Sequence, residues 1–386
     1  MSHEENLSEL DKILIYFSQN GGSDLFVTAG RPITMKVEGK LINLTDEKVT
    51  PDMAKTLTET IMNHDQLTTF QTTQECNFAF HIQGLARYRV NVFVQRGTPG
   101  MVIRSVRTDM PKYEELNLPP ILKESVMAKH GLILIVGGTG SGKSTTLAAL
   151  IDHRNSIQDG HIITIEDPIE FIHSHKKSIV TQREVGVDTD SYESALKNTL
   201  RQAPNVILIG EIRSHETMEH AIAFSETGHL CLSTLHANNT NQTLDRIINF
   251  FPAAQRDHIL MDLSLNLKAI VSQRLIPKIG GGLIAAVEVM LNTPRVAELV
   301  FQGKVGEIKE IMQKSGAIGM QTFDKALFDL YEDGLISYQD ALRNADSMND
   351  LRLNIKLNSK LPPPTVTGDM DNGTASFSLK EHEEPQ

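Results

Sequence analysis

The sequence predicts an α/β protein in which a parallel sheet is preceded by a smaller α+β domain. After residue 121, short apolar segments alternate with helical segments, which is typical of a parallel sheet covered by helices. A glycine-rich loop directly follows the first of these apolar segments. The first hundred residues differ, because strand-like and hairpin-like segments predominate there. A chain of 386 residues is also long for one core, so we expect two domains.

Shifts in this pattern give the predicted domain boundaries. We predict an N-terminal domain over 1–107, a proline-containing linker over 108–120 and the α/β domain over 121–357. Residues 358–386 are polar, contain three consecutive prolines and end in acidic residues, so we expect a disordered tail there.

Apolar segments of the α/β domain predict its strands, at 132–136, 161–165, 206–209, 229–234 and 283–290. The remaining segments have helical spacing. In particular, we expect 244–276 to be a helical region.

Charge, cysteine content and hydropathy limit the class of protein. The net charge of −11 argues against binding nucleic acid through a basic face, so we expect no nucleic-acid partner. Cys76 and Cys231 are far apart in sequence, which favours reduced thiols over a disulfide or a metal site. No apolar run approaches the length of a transmembrane helix, and the first residues are not a signal peptide. We therefore predict a cytoplasmic protein.

The glycine-rich loop, GGTGSGKST, has the spacing of a phosphate-binding P-loop. It lies between a predicted strand and a predicted helix, whose free N–H groups and dipole favour an anion. Lys143 can reach the β- and γ-phosphates, and the Ser144 hydroxyl can hold Mg²⁺. We therefore predict binding of ATP and Mg²⁺ by Gly137, Gly138, Thr139, Gly140, Ser141, Gly142, Lys143, Ser144 and Thr145.

Three acidic residues lie at the ends of predicted strands and are candidates for the chemistry. Glu166 and Asp167 end the second strand, and Glu211 follows the third. Because the carboxyl ends of such strands face the ligand crevice, these groups are expected near the phosphates. Asp167 also has a structural interpretation as a helix N-cap before proline. Glu211 fits a Walker B position, where it can hold Mg²⁺ through water or polarise the attacking water.

Histidines flank the fourth predicted strand. His236 lies at its carboxyl end and is the better candidate to sense the γ-phosphate. His229 lies at its start, where a structural role is equally consistent with the sequence. His173 and His175 lie in a charged segment and are expected on the surface.

Arginines of the N-terminal domain are candidates to reach a triphosphate from outside the α/β domain. Strand alternation places Arg87, Arg89 and Asn91 on one face, and Arg104 lies in the next strand. A solvated strand face is one interpretation. The other is an arginine finger that makes domain closure depend on the nucleotide.

Several segments together resemble the secretion ATPase superfamily, and most closely its type IV pilus retraction ATPases, the PilT and PilU group. They are GGTGSGKST, TIEDPIEF, QREVGVDT, LRQAPNVILIGEIR, ETGHLCLSTLHA and IGGGLIAAVEVM. The resemblance extends to about residue 357. It implies a PAS-like N-terminal domain, a RecA-like ATPase domain and assembly as a homo-hexamer.

The resemblance also implies roles for individual residues. Glu166 becomes the acid of the Asp box and the base that acts on water, and Glu211 becomes the acid on the Mg²⁺ side. Without the resemblance, the sequence also permits Glu211 as the base and Glu166 as the acid on the Mg²⁺ side. The same resemblance makes His229 and His236 the His box, and Arg89 and Arg104 sensors of the γ-phosphate.

Two sequence features distinguish this chain from other branches of the superfamily. Pilus assembly and type II secretion motors usually carry a four-cysteine zinc module, which two cysteines cannot build. Retraction ATPases of the PilT type carry an AIRNL motif after a Thr-Pro pair, and here residues 295–299 read RVAEL. Together with the acidic tail, this resembles the PilU branch, whose members are accessory motors working alongside PilT.

These observations predict a hexameric ATPase that drives or assists type IV pilus retraction. Its expected partners are a PilT-type ATPase and an inner-membrane pilus platform protein, with the protein peripheral to that membrane at the base of the pilus machine. One alternative is a RecA-like nucleic-acid translocase, which single-stranded DNA would stimulate. Another is a weakly hydrolysing regulatory partner of PilT.

Overall fold

The structure, a computed structural model, describes residues 9–37, 39–82, 86–106 and 110–361. Within these residues the chain forms a six-stranded sheet followed by a seven-stranded sheet. The prediction of an α/β domain preceded by a smaller α+β domain is confirmed. The first residues of the predicted linker and nearly all of the predicted tail lie outside the described residues.

The N-terminal unit is an antiparallel sheet with helices, in the strand order β3-β2-β1-β6-β5-β4. Its elements are α1 (Glu9–Gln19), β1 (Asp24–Val27), β2 (Thr34–Val37), β3 (Lys40–Asn43), α2 (Pro51–Ile61), α3 (His64–Thr73), β4 (Glu75–Ile82), β5 (Ala86–Gln95) and β6 (Thr98–Val106). Thr50 caps α2 through the Met53 N–H, and Asn63 begins α3 with a capping box.

Alternation along β5 decides which side chains enter the core of this unit. Tyr88, Val90 and Val92 are buried against α1 residues such as Phe17. Arg87 and the residues that alternate with it therefore lie on the other face of the strand. The sequence prediction for this strand is confirmed.

The second unit has the strand order β13-β12-β7-β11-β10-β8-β9, and its pairs are parallel except β12 with β13. Its strands are β7 (Gly131–Val136), β8 (Gly160–Glu166), β9 (Ser178–Glu184), β10 (Val206–Ile209), β11 (Leu230–Leu235), β12 (Leu267–Pro277) and β13 (Leu283–Leu291).

Helices cover both faces of this second sheet. They are α4 (Ile121–Val126), α5 (Lys143–Ile157), α6 (Tyr192–Thr199), α7 (His215–Glu226), α8 (Thr240–Phe250), α9 (Arg256–Asn266), α10 (Pro294–Phe301), α11 (Ile308–Lys314), α12 (Phe323–Glu332), α13 (Tyr338–Asn344) and α14 (Met348–Asn358). No helix of the described residues is long and apolar enough to cross a bilayer.

Strand β7 lies between two hydrophobic cores because every one of its residues is buried. Leu132, Leu134 and Val136 belong to one core, and Ile133 and Ile135 belong to the other. This burial on both faces explains the uninterrupted apolar run of β7. It also fixes the position of the loop that follows the strand.

The prediction that 244–276 is helical was wrong beyond residue 266. There the chain forms β12, which pairs with β7 on one side and β13 on the other. Leu267, Ile270, Val271 and Leu275 have a spacing that also fits a helix face. Pairing between two buried strands decides the outcome, as tertiary context often does.

Two further elements, α3 and β9, were not predicted. Strand β9 is an edge strand with the sequence SIVTQRE, whose polar side chains give no clear apolar alternation. The segment before α4 packs on the second unit, where Tyr113 and Leu118 enter its core. The predicted domain boundaries stay predictions, since 107–109 lie outside the described residues.

Substitution of Leu134 by alanine tests the double-sided burial of β7. Leu134 is fully buried, so Leu134→Ala should lower the free energy of unfolding by about 2–5 kcal/mol. In Leu357→Ala, where the side chain is 70% exposed, we expect a change within about 0.5 kcal/mol. Urea denaturation of both variants checks this expectation, and equal effects would contradict it.

Candidate functional site

A cavity of about 810 Å³ lies at the carboxyl edge of the second sheet. Because β7, β8, β10 and β11 run parallel, the segments that follow these strands meet at this edge. The cavity is lined by the P-loop, the 166–173 segment, the residues after β10 and His236. The structure therefore brings together most of the predicted site.

Glycines are required where the P-loop turns away from β7. Gly137 has a φ of 154°, and a Cβ there would lie 2.4 Å from Ser141 Oγ and 2.5 Å from the Gln273 carbonyl oxygen. Gly142 has a φ of 88°, and a Cβ there would lie 2.8 Å from Gln273 Nε2. A side chain at Gly137 would clash with Ser141 and the backbone of β12, whereas one at Gly142 would be strained by its positive φ and would displace the Gln273 amide.

The first turn of α5 presents its backbone to the cavity. Its N-cap is Gly142, and no side chain caps the helix. The free N–H groups of this turn and the helix dipole favour an anion at this point. The site thus fits the phosphates of a nucleotide.

Lys143 lies at the mouth of the same loop. Its Nζ donates to the carbonyl oxygens of Gly138, at 2.9 Å, and Gly137, at 3.1 Å. Burial lowers its pKa, while Glu211 and Glu170 act in the opposite direction. The ammonium group is therefore desolvated and held by weak carbonyl partners, so an anionic ligand would stabilise it.

Glu166 ends β8 and lines the cavity with its carboxylate fixed on one side. Oε1 accepts hydrogen bonds from Thr164 Oγ1, at 2.6 Å, and from Gln182 Nε2, at 3.2 Å. Burial raises its pKa to about 7, and the two hydrogen bonds limit that rise. A carboxyl with a pKa near neutrality suits a general base.

Glu211 follows β10 and forms a cluster with His236 and Arg213. Its Oε1 lies 3.0 Å from His236 Nε2, and its Oε2 lies 2.7 Å from Arg213 Nη2. Arg213 also approaches Asp167 Oδ2, at 3.8 Å. The cluster links the ends of β8, β10 and β11, with His236 in direct contact with an acid of the site.

Three predicted residues lie elsewhere in the chain. His229 precedes the amino end of β11, opposite His236, and its Nδ1 lies 3.1 Å from Thr227 Oγ1. Arg104 pairs with Asp24 at 2.8 Å, and Arg89 does not line the cavity. The roles that the resemblance implies for Arg89 and Arg104 as γ-phosphate sensors, and for His229 in the His box, stay predictions.

Arg89 instead joins the two units of the chain. Its Nε lies 2.9 Å from Oε1 of Glu184, a fully buried residue at the end of β9. Arg87 reaches the same carboxylate at 3.9 Å and Asp188 at 3.7 Å. The arginine face predicted on β5 is therefore held by anions of the second unit.

Sequence reasoning missed several residues of this region. His173 was expected on the surface, and that was wrong: its side chain is buried and lines the cavity. Burial lowers its pKa to about 4, so the ring is neutral near pH 7. Gln182 and Tyr192 were given no role, although QREVG is among the segments that carry the resemblance. Their polar side chains gave no signal because only the fold brings them to Glu166 and Gly210.

Comparisons with known proteins agree with this geometry. A model of the type II/IV secretion system protein family matches residues 4–317. The chain is 56% identical over 353 residues to the type IV pilus ATPase PilU of Pseudomonas aeruginosa, covering 91% of this chain and 92% of that protein. It is 40% identical over 337 residues to the type IV pilus retraction ATPase PilT of the same organism, covering 87% and 98%.

A solved structure is similar over nearly the same length. It is a crystal structure of the pilus retraction motor PilT with bound ADP, and it aligns with a TM-score of 0.83 at 39% identity. The alignment covers 89% of this chain and 99% of that one. The second unit and the N-terminal unit thus both have counterparts in one solved protein.

The raised pKa of Glu166 predicts a pH-dependent stability. The folded protein holds a proton that the unfolded chain releases between pH 4.5 and about 7, so stability falls as pH rises through this window. Glu166→Gln removes that loss. We expect its free energy of unfolding to exceed that of the wild type by about 3 kcal/mol at pH 8 and to match it near pH 4.5.

Scanning calorimetry at both pH values measures this difference. Glu124→Gln, which changes an exposed glutamate, is the matched control and should follow the wild type. The same pH dependence in Glu166→Gln and the wild type would contradict the raised pKa of Glu166.

Proposed function

This chain belongs to the type II/IV secretion system protein family, and from that membership we propose that it is an ATP-hydrolysing motor of type IV pilus retraction. The observation that carries the proposal is the convergence of an uncapped helix N-terminus, Lys143, Glu166 and Glu211 around one cavity. The likeness to PilU and PilT over nine-tenths of the chain supports the pilus role. The resemblance inferred from sequence motifs is confirmed.

The residues of the cavity divide the work of hydrolysis. The P-loop N–H groups and Lys143 would hold the phosphates of ATP, and Ser144 with Glu211 would hold Mg²⁺, Glu211 through water. A magnesium ion held there would supply positive charge that offsets the charge of the phosphates. Glu166 takes a proton from the attacking water, because its pKa lies near neutrality. His236 orients Glu211 from 3.0 Å.

The arginines of the N-terminal unit would couple the state of the nucleotide to the relative position of the two units. Arg89 is held by Glu184 at 2.9 Å, and its guanidinium could exchange that carboxylate for a γ-phosphate. The phosphate would be that of the same chain after domain closure, or that of a neighbour in a homo-hexamer. Arg104 would act in the same way after leaving Asp24. Hydrolysis then alters the relative position of the two units.

Helix α10 supports a role as an accessory motor. Thr293 caps the helix, and Val296, Leu299 and Val300 are buried, so the altered sequence keeps the helix and its packing. Its exposed face carries an ion pair between Arg295 and Glu298, at 2.6 Å. This surface would serve contact with another pilus component. We propose a PilT-type ATPase and an inner-membrane platform protein as partners, at the cytoplasmic side of the pilus base.

The altered α10 also favours a second candidate function. In that alternative the protein binds ATP, hydrolyses it weakly and acts by regulating a PilT-type motor. Steady-state turnover by the isolated protein separates the two functions, because a motor needs sustained hydrolysis. A nucleic-acid translocase has less support, since the net charge is −11.

Deletion of the gene, with and without a working PilT-type motor, tests the pilus role. We expect the deletion to impair twitching under load and to leave excess surface pili, because pilus subunits are no longer withdrawn against force. Surface pili and twitching are scored in both backgrounds. Complementation with wild-type and Lys143→Ala genes is the control, and only the wild type should restore motility. Unaltered pili and motility in both backgrounds would contradict the proposal.

A further inference from the structure

Strands β8 and β9 place a set of polar side chains on one face next to the cavity. Their parallel register pairs Thr164 with Gln182 and Glu166 with Glu184. Residues two apart on a strand share a face. The candidate base therefore lies among polar partners, although Ile162, Ile163 and Ile165 of β8 are apolar and buried.

Gln182 lies at the centre of this set and forms three hydrogen bonds to the 166–173 segment, one of them to Glu166 at the end of β8. Its Nε2 donates to Glu166 Oε1, at 3.2 Å, and to the Phe171 carbonyl oxygen, at 2.9 Å. Its Oε1 accepts the His173 N–H at 2.7 Å. One amide thus links the Glu166 carboxylate, at the start of the 166–173 segment, to Phe171 and His173 at its end.

Gln182 lies behind the residues that line the cavity and would not contact a ligand bound there. Its side chain is not among those that line the cavity, whereas Glu166, Phe171 and His173 are. The segment it holds forms no helix and only an isolated bridge at Phe171. Its shape therefore depends on side-chain contacts such as these.

Charged and titratable groups surround Glu166 from several elements. They are Asp167, Glu170 and His173 on its own segment, Glu184 opposite it on β9, Tyr192 on α6 and, lining the same cavity, Lys143, Glu211, Arg213 and His236. Glu170 disfavours the ionised form of Glu166, and Gln182 and Thr164 favour it. Burial is the main cause that raises the pKa of Glu166, and the Gln182 amide both opposes that rise and holds the carboxyl group in one orientation.

We propose that Gln182 is a positioning residue for hydrolysis, fixing the Glu166 carboxylate and the 166–173 segment in one orientation. The inference rests on the proposed function, because it concerns the reaction at the same site. The Gln182 amide stabilises the carboxylate that accepts the proton of water. Without that amide, the Glu166 carboxylate keeps its proton up to a higher pH and is no longer held in one orientation.

The pH profile of kcat for ATP hydrolysis by the full chain tests this proposal. Gln182→Leu removes the donor, so the acidic limb of the profile should move upward by about half to one pH unit. Gln182→Glu adds a like charge and should move it further. The KM for ATP should stay within about twofold of the wild type. Gln321→Leu is the matched control, since Gln321 donates to Val287 outside the cavity.

An unchanged acidic limb in Gln182→Leu, or an equal loss of kcat at every pH, would overturn the proposal. A second readout does not require turnover. Gln182→Leu should widen the pH-dependent loss of thermal stability, and it should lose that effect in a Glu166→Gln background. Absence of this coupling would also overturn the proposal. Failure of the wild type to hydrolyse ATP would instead refute the proposed function.

Discussion

The parallel alignment of β7, β8, β10 and β11 is the constraint on which the site depends. It delivers the uncapped start of α5 and the acids after β8 and β10 to one edge. The two cores that flank β7 enforce that alignment, because β7 is buried on its two faces. The cavity is therefore a consequence of strand packing, and its chemistry follows from which residues end each strand.

The charged forms of Glu166 and Lys143 in this cavity lower the stability of the folded protein. Burial raises the pKa of Glu166 to about 7 and lowers the pKa of Lys143, so both charged forms are disfavoured before any ligand binds. A polyanion with its cation would offset part of this cost. The buried ion pair of Glu184 with Arg89 adds another costly element, and it lies two residues from Gln182 on the same strand. Strand β9 thus carries both Glu184, which contacts the N-terminal unit, and Gln182, which contacts the candidate base Glu166.

Much of the site was readable from the sequence because its signals are local. The P-loop, Glu166, Glu211 and His236 each follow an apolar strand directly, and the structure groups them as expected. Strand β12 was misread because its apolar spacing fits two periods, and strand β9 because an edge strand is half polar. The roles of Arg89, Arg104 and His229 stay predictions, since they depend on how units or subunits meet, which local patterns do not encode.

Magnesium-dependent affinity for ATP is the most direct measurement of the central claim. Calorimetric titration of the full chain with ATP, with and without Mg²⁺, should give binding that strengthens with the cation. Lys143→Ala should weaken that binding about tenfold or more, equivalent to about 1.4 kcal/mol. A wild-type protein with no magnesium-dependent affinity for ATP would contradict the claim that this edge of the sheet is a nucleotide site.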